Sequence, residues 1–242
     1  ICPEYVHACS EIRSIKYKKA VKDTVKYITI EEVTALLSQI DTRTKSGRRD
    51  LTLLSLLYNT GARVQEVIDL TPSNFRLEKP AIVELYGKGR KKRIVPLDEP
   101  IAKLLQGYMR EQGLSNVVSA HHPLFFNSQG SKLTNPGISY IINKYVSLLK
   151  AQNAEMCNIN ITPHVFRHSR AMHLLQVGIP LIYIRDILGH VSVQTTEIYA
   201  RTDSKAKREA LEKAYEDIGI IEPEIKSWDK DSKLKAFLKS LV

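Results

Sequence analysis

The sequence predicts an α+β domain that is mainly α-helical and carries a small antiparallel β-sheet. Apolar residues recur at helical spacing through most of the chain after residue 28, and several of these segments start at capping residues. One stretch, residues 81–97, changes to short extended runs joined by Gly-Lys-Gly-Arg, which predicts a β-hairpin with a basic tip. A length of 242 residues with 43% hydrophobic content suits one to two globular domains.

Helix start and stop signals divide the first half of the chain. Thr29 fits an N-cap, because two glutamates follow in the first turn and apolar residues continue at helical spacing to Ile40. A second helix is predicted from about residue 49 to residue 57, with its stop near Gly61. The other elements predicted in this half are a short helix that ends before Pro72 and the two hairpin strands, at residues 64–68, 81–86 and 93–97.

The second half is predicted to be helical apart from a turn at residues 127–130. Asn135 and Thr162 are each followed by proline, so each is predicted to be an N-cap with proline in the first helical turn. Gly178 and Gly189 supply two helix stops. The helices are predicted to start at about residues 101, 136, 163, 180, 193 and 203.

The two ends of the chain differ from its middle. Residues 1–27 are basic and weakly patterned, which predicts the end of a preceding domain with a basic linker. Residues 28–218 form the main domain, and residues 219–242 are a C-terminal tail with a short amphipathic helix. No apolar run reaches the ~20 residues of a membrane span, and no signal peptide is evident. Three scattered cysteines argue against a disulfide framework and favour a reducing cytoplasm.

The positive charge is concentrated in one part of the chain. The net charge is +10, and the excess lies before residue 203. Such a field attracts polyanions, among which nucleic acid is the commonest, although a solvated basic surface would give the same composition. The five basic residues of segment 87–93 are Lys88, Arg90, Lys91, Lys92 and Arg93.

The helix that begins at Pro163 carries a candidate anion site. His164 and Arg167 are three residues apart and share a face in its first two turns, where backbone N–H groups and the helix dipole favour an anion. A satisfied surface pair would explain the same two residues. His168 follows, but the spacing from His164 lacks the intervening glutamate of a metalloprotease helix, so no metal site is predicted.

Five sequence blocks follow one another between residues 28 and 205. They are Thr60-Gly-Ala-Arg-Val-Gln-Glu, Gly87-Lys-Gly with Arg93-Ile-Val-Pro-Leu, His164-x-x-Arg-His, Leu188-Gly-His and Ile198-Tyr. Taken singly, each has an ordinary explanation: Arg63 and Glu66 as a structural pair, or Tyr199 as a core tyrosine. Together, in this order and spacing, they resemble the tyrosine recombinase (phage integrase) family over residues 28–205, and a chance match is improbable.

The resemblance implies the fold of that family's catalytic domain and a DNA strand-exchange enzyme that uses neither metal nor nucleotide cofactor. Tyr199 would attack the scissile phosphorus and leave a 3′-phosphotyrosine. Arg63 and Arg167 match the two arginines that bind the non-bridging oxygens, to which guanidinium groups are well suited. His190 matches a hydrogen-bond donor to the phosphate, and Glu66 matches an acidic residue that helps hold the histidine and arginine geometry.

The resemblance also implies which residues transfer protons and which residues contact DNA. Lys88 matches the general acid for the leaving oxygen, with Lys91 and Lys92 as alternatives for that role. His164 matches the residue that assists proton transfer to and from the tyrosine hydroxyl. The residues assigned to DNA contact are Arg90, Lys91, Lys92, Arg93 and His168.

The family further implies partners. On this resemblance, residues 1–27 are the end of a DNA-binding domain and residues 28–218 are the catalytic domain. Residues 219–242 are a tail that docks on a neighbouring protomer, with docking on its own domain as the alternative. The expected partners are a duplex DNA recombination site and, on synapsed DNA, three further copies of the chain in a homotetramer. Accessory DNA-binding proteins are compatible with this expectation, and a membrane is not an expected partner. A mobile genetic element would suit such an enzyme. Three alternatives stay open: a type IB topoisomerase, a non-catalytic DNA-binding module on the same fold, and a metal-dependent nuclease.

Overall fold

Helices and one three-stranded sheet make up the fold, which confirms the predicted fold class. The computed structural model describes residues 5–14, 25–87, 89, 91–190 and 192–202, all within the unit Ile1–Ser204. The α-helices of this described part are α1 (Val6–Ser14), α2 (Ile30–Ser38), α3 (Lys45–Thr60), α4 (Val64–Ile68), α5 (Glu99–Glu111), α6 (Asn135–Gln152), α7 (Pro163–Gln176), α8 (Leu181–Leu188) and α9 (Val193–Thr202). The strands are β1 (Phe75–Arg76), β2 (Ile82–Tyr86) and β3 (Lys92–Pro96).

Capping residues fix where the helices of the first half begin and end. Thr29 caps α2 as predicted: its hydroxyl accepts from Glu32 N at 3.2 Å and Glu32 Oε2 accepts from Thr29 N at 2.8 Å. α3 begins at residue 45 rather than near residue 49, because the Thr44 hydroxyl accepts from Gly47 N at 3.0 Å. It ends at Gly61, whose φ of 58° lies in the left-handed region.

The same capping chemistry starts the two long helices of the second half. Thr162 caps α7 as predicted, and its hydroxyl accepts from Val165 N at 3.4 Å. The cap of α6 was predicted at Asn135 but is Thr134, whose hydroxyl accepts from Gly137 N at 3.2 Å. The threonine one residue earlier supplies the same oxygen acceptor, so the prediction was wrong by one position.

The sheet is antiparallel in the order β1-β2-β3. β2 and β3 form the predicted hairpin, in which Val83 pairs with Val95 and Leu85 with Arg93. Val83, Leu85 and Val95 are buried, so Arg93, two residues before Val95, points to the same inner face. Strand β1 has two residues and was not predicted, because so short a segment has no alternation to detect.

Two buried apolar clusters stabilise the domain. The larger one joins α2–α6, the sheet and the start of α7, and includes Leu53, Leu57, Leu105, Ile138 and Phe166. The smaller one lies between α7, α8 and α9. Its buried members are Ala171, Met172, Ile184, Leu188 and Tyr199. Packing in this second cluster therefore positions the predicted nucleophile.

Parts of the predicted organisation lie outside the described residues. These are the helix predicted at residues 203–216, the tail at residues 219–242 and most of the predicted basic linker. Within residues 1–27 the structure adds α1, which the sequence analysis did not predict. None of the described helices is both long and apolar enough to span a membrane.

Candidate active site

The predicted site residues meet at a cleft of about 690 Å³. The N-terminal end of α4, the first two turns of α7, the loop after α8 and helix α9 supply its walls. Five of the six residues predicted to be catalytic line it, and so does His168. Those five are Arg63, His164, Arg167, His190 and Tyr199. The sixth, Lys88, lies outside the described residues, as does the predicted DNA contact Arg90.

The Arg167 side chain is fixed by backbone carbonyl groups at the C-terminal ends of two helices. Its side chain is buried, and its two Nη groups donate to the carbonyl oxygens of Gly61 and Leu188, each at 2.7 Å. These carbonyls lie at the C-terminal ends of α3 and α8, where the helix dipole favours a cation. Burial, assisted by the nearby Arg63 charge, lowers the pKa of Arg167 to about 10, so the guanidinium remains charged at neutral pH.

Arg63, Glu66 and Arg93 form an ion-paired triad beside the cleft. Glu66 accepts from Arg63 N at 2.7 Å and from Arg63 Nη1 at 3.1 Å, and Arg93 binds its two oxygens through Nη1 and Nη2 at 2.7 and 2.6 Å. Arg63 Nη2 also donates to the Gly189 carbonyl at 3.3 Å. The triad therefore fixes an arginine that lines the cleft, and Arg63 itself stays 37% exposed for a ligand.

The prediction that Arg93 contacts DNA is corrected by this position. Its side chain is 10% exposed, and its Nε donates to the Ile187 carbonyl at 2.9 Å while the Nη groups bind Glu66. Gly189 leaves room for it, since a Cβ there would lie 2.9 Å from Arg93 Cδ. Arg93 thus helps to fix Glu66, which in turn positions Arg63 at the cleft.

Glu66 is a buried carboxylate that stays ionised. Burial alone would raise its pKa, but the hydrogen bonds and charges of Arg93 and Arg63 outweigh burial and hold the pKa below its usual value. The family resemblance implies that Glu66 helps to hold histidine as well as arginine geometry. The hydrogen bonds that it makes within the described residues include the arginine contacts above, and a histidine contact is not among them.

Tyr199 is buried, with 2% of its surface exposed, yet it is one of the residues that line the cleft. The hydroxyl lies 2.8 Å from His168 Nδ1, and its ring stacks at 6.3 Å from the His190 ring. Burial raises the pKa of Tyr199, although the Arg167 charge acts in the opposite direction. The tyrosine is therefore protonated at neutral pH, and its oxygen lies at hydrogen-bond distance from a histidine nitrogen.

His168 takes the place in which the sequence analysis expected His164. It was assigned to DNA contact, but it is half-buried against Tyr199, and burial lowers its pKa. His164 is exposed at the mouth of the cleft, with its ring centroid 6.2 Å from that of His168. The DNA contact predicted for His168 stays a prediction, and the structure adds a contact between this residue and the tyrosine hydroxyl.

His190 is oriented by a residue that the sequence analysis missed. Its Nδ1 lies 3.0 Å from the hydroxyl of Thr196, which is fully buried. Burial, together with the charges of Arg167 and Arg63, lowers the pKa of His190 to about 4, so the imidazole is neutral at neutral pH. Thr196 is three residues before Tyr199 and shares its helix face, a spacing that could have indicated it.

The basic hairpin borders a second cleft next to the first. Lys91, Lys92 and Arg185 line this space of about 420 Å³, and Arg63 and His190 lie on the wall between the two clefts. Lys92 pairs with Glu84 at 2.7 Å and is 46% exposed. The predicted DNA contacts Lys91 and Lys92 therefore lie beside the candidate site and face solvent.

The donor set at the cleft consists of cations and neutral rings. Among the described residues, histidine, cysteine, aspartate and glutamate side chains do not come together in any group of three or more that could hold a metal ion. Two fixed guanidinium groups, a neutral histidine and a buried tyrosine hydroxyl suit a phosphodiester. Guanidinium groups bind phosphate oxygens in pairs and stay charged throughout the working pH range.

Comparison with known proteins places the chain in a family. Residues 26–206 match the sequence profile of the phage integrase family, and the chain belongs to that family. The tyrosine recombinase XerD of Staphylococcus epidermidis is 38% identical over 200 residues, which cover 81% of this chain. The chain spans 64% of the length of that relative.

Solved structures agree with this placement. The XerH site-specific recombinase in a post-cleavage complex with its palindromic difH substrate is 28% identical, with a TM-score of 0.65 over 78% of this chain and 53% of XerH. The XerA recombinase is 27% identical, with a TM-score of 0.66 over 81% of this chain and 67% of XerA. The fold is that of tyrosine recombinases.

Proposed function

We propose that this chain is a site-specific DNA recombinase that cuts and rejoins duplex strands through a 3′-phosphotyrosine on Tyr199. The observation that carries the proposal is one cleft that holds a tyrosine hydroxyl together with two fixed arginines and a neutral histidine. XerH was solved on its difH substrate after cleavage, which supports duplex DNA as the substrate here.

The proposed reaction exchanges one ester for another. The Tyr199 oxygen loses its proton and attacks the scissile phosphorus, a bond forms between them, and the bond to the 5′-oxygen breaks. Arg63 and Arg167 bind the non-bridging oxygens, whose charge grows as the fifth bond forms, and His190 donates a hydrogen bond to one of them. Loss of one preorganised donor in such a site costs on the order of 10²–10³ in rate.

Cleavage is completed when the departing 5′-oxygen takes up a proton. We assign this proton to Lys88, because Lys88 matches the general acid of the family, with Lys91 and Lys92 as alternatives. Rejoining reverses these steps. A 5′-hydroxyl from a second strand then attacks the phosphotyrosine and releases Tyr199. The ester retains the bond energy, so this scheme uses neither a metal ion nor a nucleotide.

A suicide duplex tests the reaction class. A pool of nicked duplexes with randomised sequence is incubated with the full chain, and the DNA that stays attached to denatured protein is sequenced to define the site. A covalent adduct for the parent and none for Tyr199→Phe is the expected result. Equal adduct formation by both proteins would overturn the proposal, and no adduct by either would favour a non-catalytic DNA-binding module.

Two further assays separate the other enzymatic alternatives. A type IB topoisomerase relaxes supercoiled plasmid as a monomer, so relaxation that is undiminished at low protein concentration and needs no paired sites would favour it. A recombinase instead yields recombinant products from paired sites. Adduct formation that persists in excess chelator argues against a metal-dependent nuclease.

The proposed assembly is a homotetramer on synapsed DNA, with residues 232–242 docking on a neighbouring protomer. The proposal rests on the family resemblance and on the helical spacing of apolar residues in that segment. A helix of about ten residues is marginal alone in water, so its apolar face needs a surface to cover. Deletion of residues 219–242 should leave adduct formation largely intact and weaken assembly on paired sites; unchanged assembly would contradict the docking.

A further inference from the structure

The proton on the Tyr199 hydroxyl must leave as the oxygen attacks, and one acceptor among the described residues lies at hydrogen-bond distance from this hydroxyl. Within the part of the chain that the structure describes, the hydrogen bond of this hydroxyl is to His168 Nδ1, at 2.8 Å. The two rings are tilted by 56° with centroids 5.7 Å apart, so the nitrogen lone pair can lie close to the O–H direction. General bases act from such distances.

We propose that His168 is the general base that takes the proton from Tyr199, an inference that rests on the proposed strand-transfer function. As the Tyr199 oxygen bonds to phosphorus, its O–H bond breaks and its proton forms an N–H bond on His168 Nδ1. The electron pair of the O–H bond stays on the oxygen. In rejoining, the imidazolium returns this proton to the departing tyrosine oxygen.

Burial and charge favour this direction of transfer. Tyr199 is almost fully buried, so its hydroxyl needs a protein acceptor. Burial, with the nearby charges of His164 and Arg167, lowers the pKa of His168, so the ring is neutral and has a free lone pair at neutral pH. Among the described residues, the titratable and charged groups that share its cleft are Lys26, Arg63, His164, Arg167, His190 and Tyr199.

His168→Asn separates a base from a mere positioning residue. The asparagine Oδ1 occupies nearly the position of the histidine Nδ1, because both are two bonds from Cβ. It can accept the hydrogen bond from Tyr199, but it cannot carry the proton away. His121→Asn makes the same exchange at an exposed position outside the cleft and serves as the control.

The experiment measures single-turnover adduct formation by the full chain on the nicked duplex carrying its selected site, at saturating protein, from pH 5 to 8. The parent rate should fall as the pH drops through the His168 pKa, since a protonated ring cannot accept. His168→Asn should be about 10²-fold slower or more and should lose that pH dependence, because general bases contribute roughly 10²–10⁴-fold. His121→Asn should match the parent.

Two outcomes would overturn the assignment. A rate for His168→Asn within tenfold of the parent would mean that the residue only positions Tyr199. A rate above the parent would mean that His168 restrains the tyrosine. ¹⁵N NMR of the free chain adds a readout without DNA: Nδ1 of His168 should be unprotonated at pH 7, and a protonated Nδ1 would contradict the proposal. Absence of any adduct with the parent would instead defeat the proposed function itself.

Discussion

Substitution of Glu66 by glutamine tests whether the buried triad holds the site together. The carboxylate accepts four hydrogen bonds from Arg63 and Arg93, over distances of 2.6–3.1 Å, and its side chain is 3% exposed. Glutamine keeps one oxygen and turns an NH₂ group toward arginine donors. Two charge-assisted bonds are lost, each worth about 1.5–3 kcal/mol, and the largely buried Arg93 and the partly exposed Arg63 lose their counter-charge.

We therefore expect Glu66→Gln to lower the free energy of unfolding by about 3–5 kcal/mol, the range for breaking a buried ion pair. The assay is urea unfolding of the full chain followed by circular dichroism. Glu84→Gln is the matched control, because Glu84 pairs with the solvent-exposed Lys92 and its loss should leave the free energy of unfolding nearly unchanged. Equal effects of the two substitutions would refute the argument from burial.

The ion pairing of Glu66 with the two arginines also predicts how the free energy of unfolding depends on pH. Because the arginines hold the pKa of folded Glu66 below the 4.5 of a free glutamate, the carboxylate stabilises the fold fully above pH 4.5. This contribution is lost as the pH falls through the folded value. The difference in free energy of unfolding between the parent and Glu66→Gln should therefore be constant from pH 5 to 7 and shrink below pH 4.5. A difference that grows in acid would contradict the ion-pair account.

Two other residues give further predictions. Thr196→Val keeps the side-chain shape but removes the hydroxyl that contacts His190 Nδ1. Adduct formation should therefore slow by roughly 5- to 150-fold, equivalent to about 1–3 kcal/mol, while the circular dichroism spectrum stays unchanged. An unchanged rate would mean that the hydroxyl does not orient the ring. Gly189→Ala places a Cβ against Arg93 at a φ of 66° and should cost at least about 1–2 kcal/mol in urea unfolding. Gly107→Ala, in an open helical position, should instead stabilise by about 0.5–1 kcal/mol, and equal effects at the two glycines would count against the role of strain.

Local signals predicted the helix ends well. The Thr29 and Thr162 caps and the Gly61 and Gly189 stops depend on a few adjacent residues, so the sequence contains all the information they need. The cap at Thr134 was missed by one residue because Asn135 carries a comparable acceptor. α1 was missed because its residues show no clear apolar stripe.

Contacts between distant segments explain the parts of the site geometry that the sequence did not predict. Arg93 stands in a run of basic residues, which suggested DNA contact, yet its two-residue spacing from Val95 indicates the inner face of the strand. His168 and Tyr199 are 31 residues apart, and only the packing of α9 on α7 brings them together. The family motif named residues that the structure brings together at one cleft, but it could not say which histidine meets the hydroxyl.

The central claim is that the oxygen of Tyr199 becomes bonded to DNA phosphorus. The most direct measurement is mass spectrometry of proteolytic peptides from the gel-purified adduct formed on the nicked duplex. The account predicts a nucleotide joined through its 3′-phosphate to the peptide that contains Tyr199. Attachment through a 5′-phosphate, or to any other residue, would contradict it.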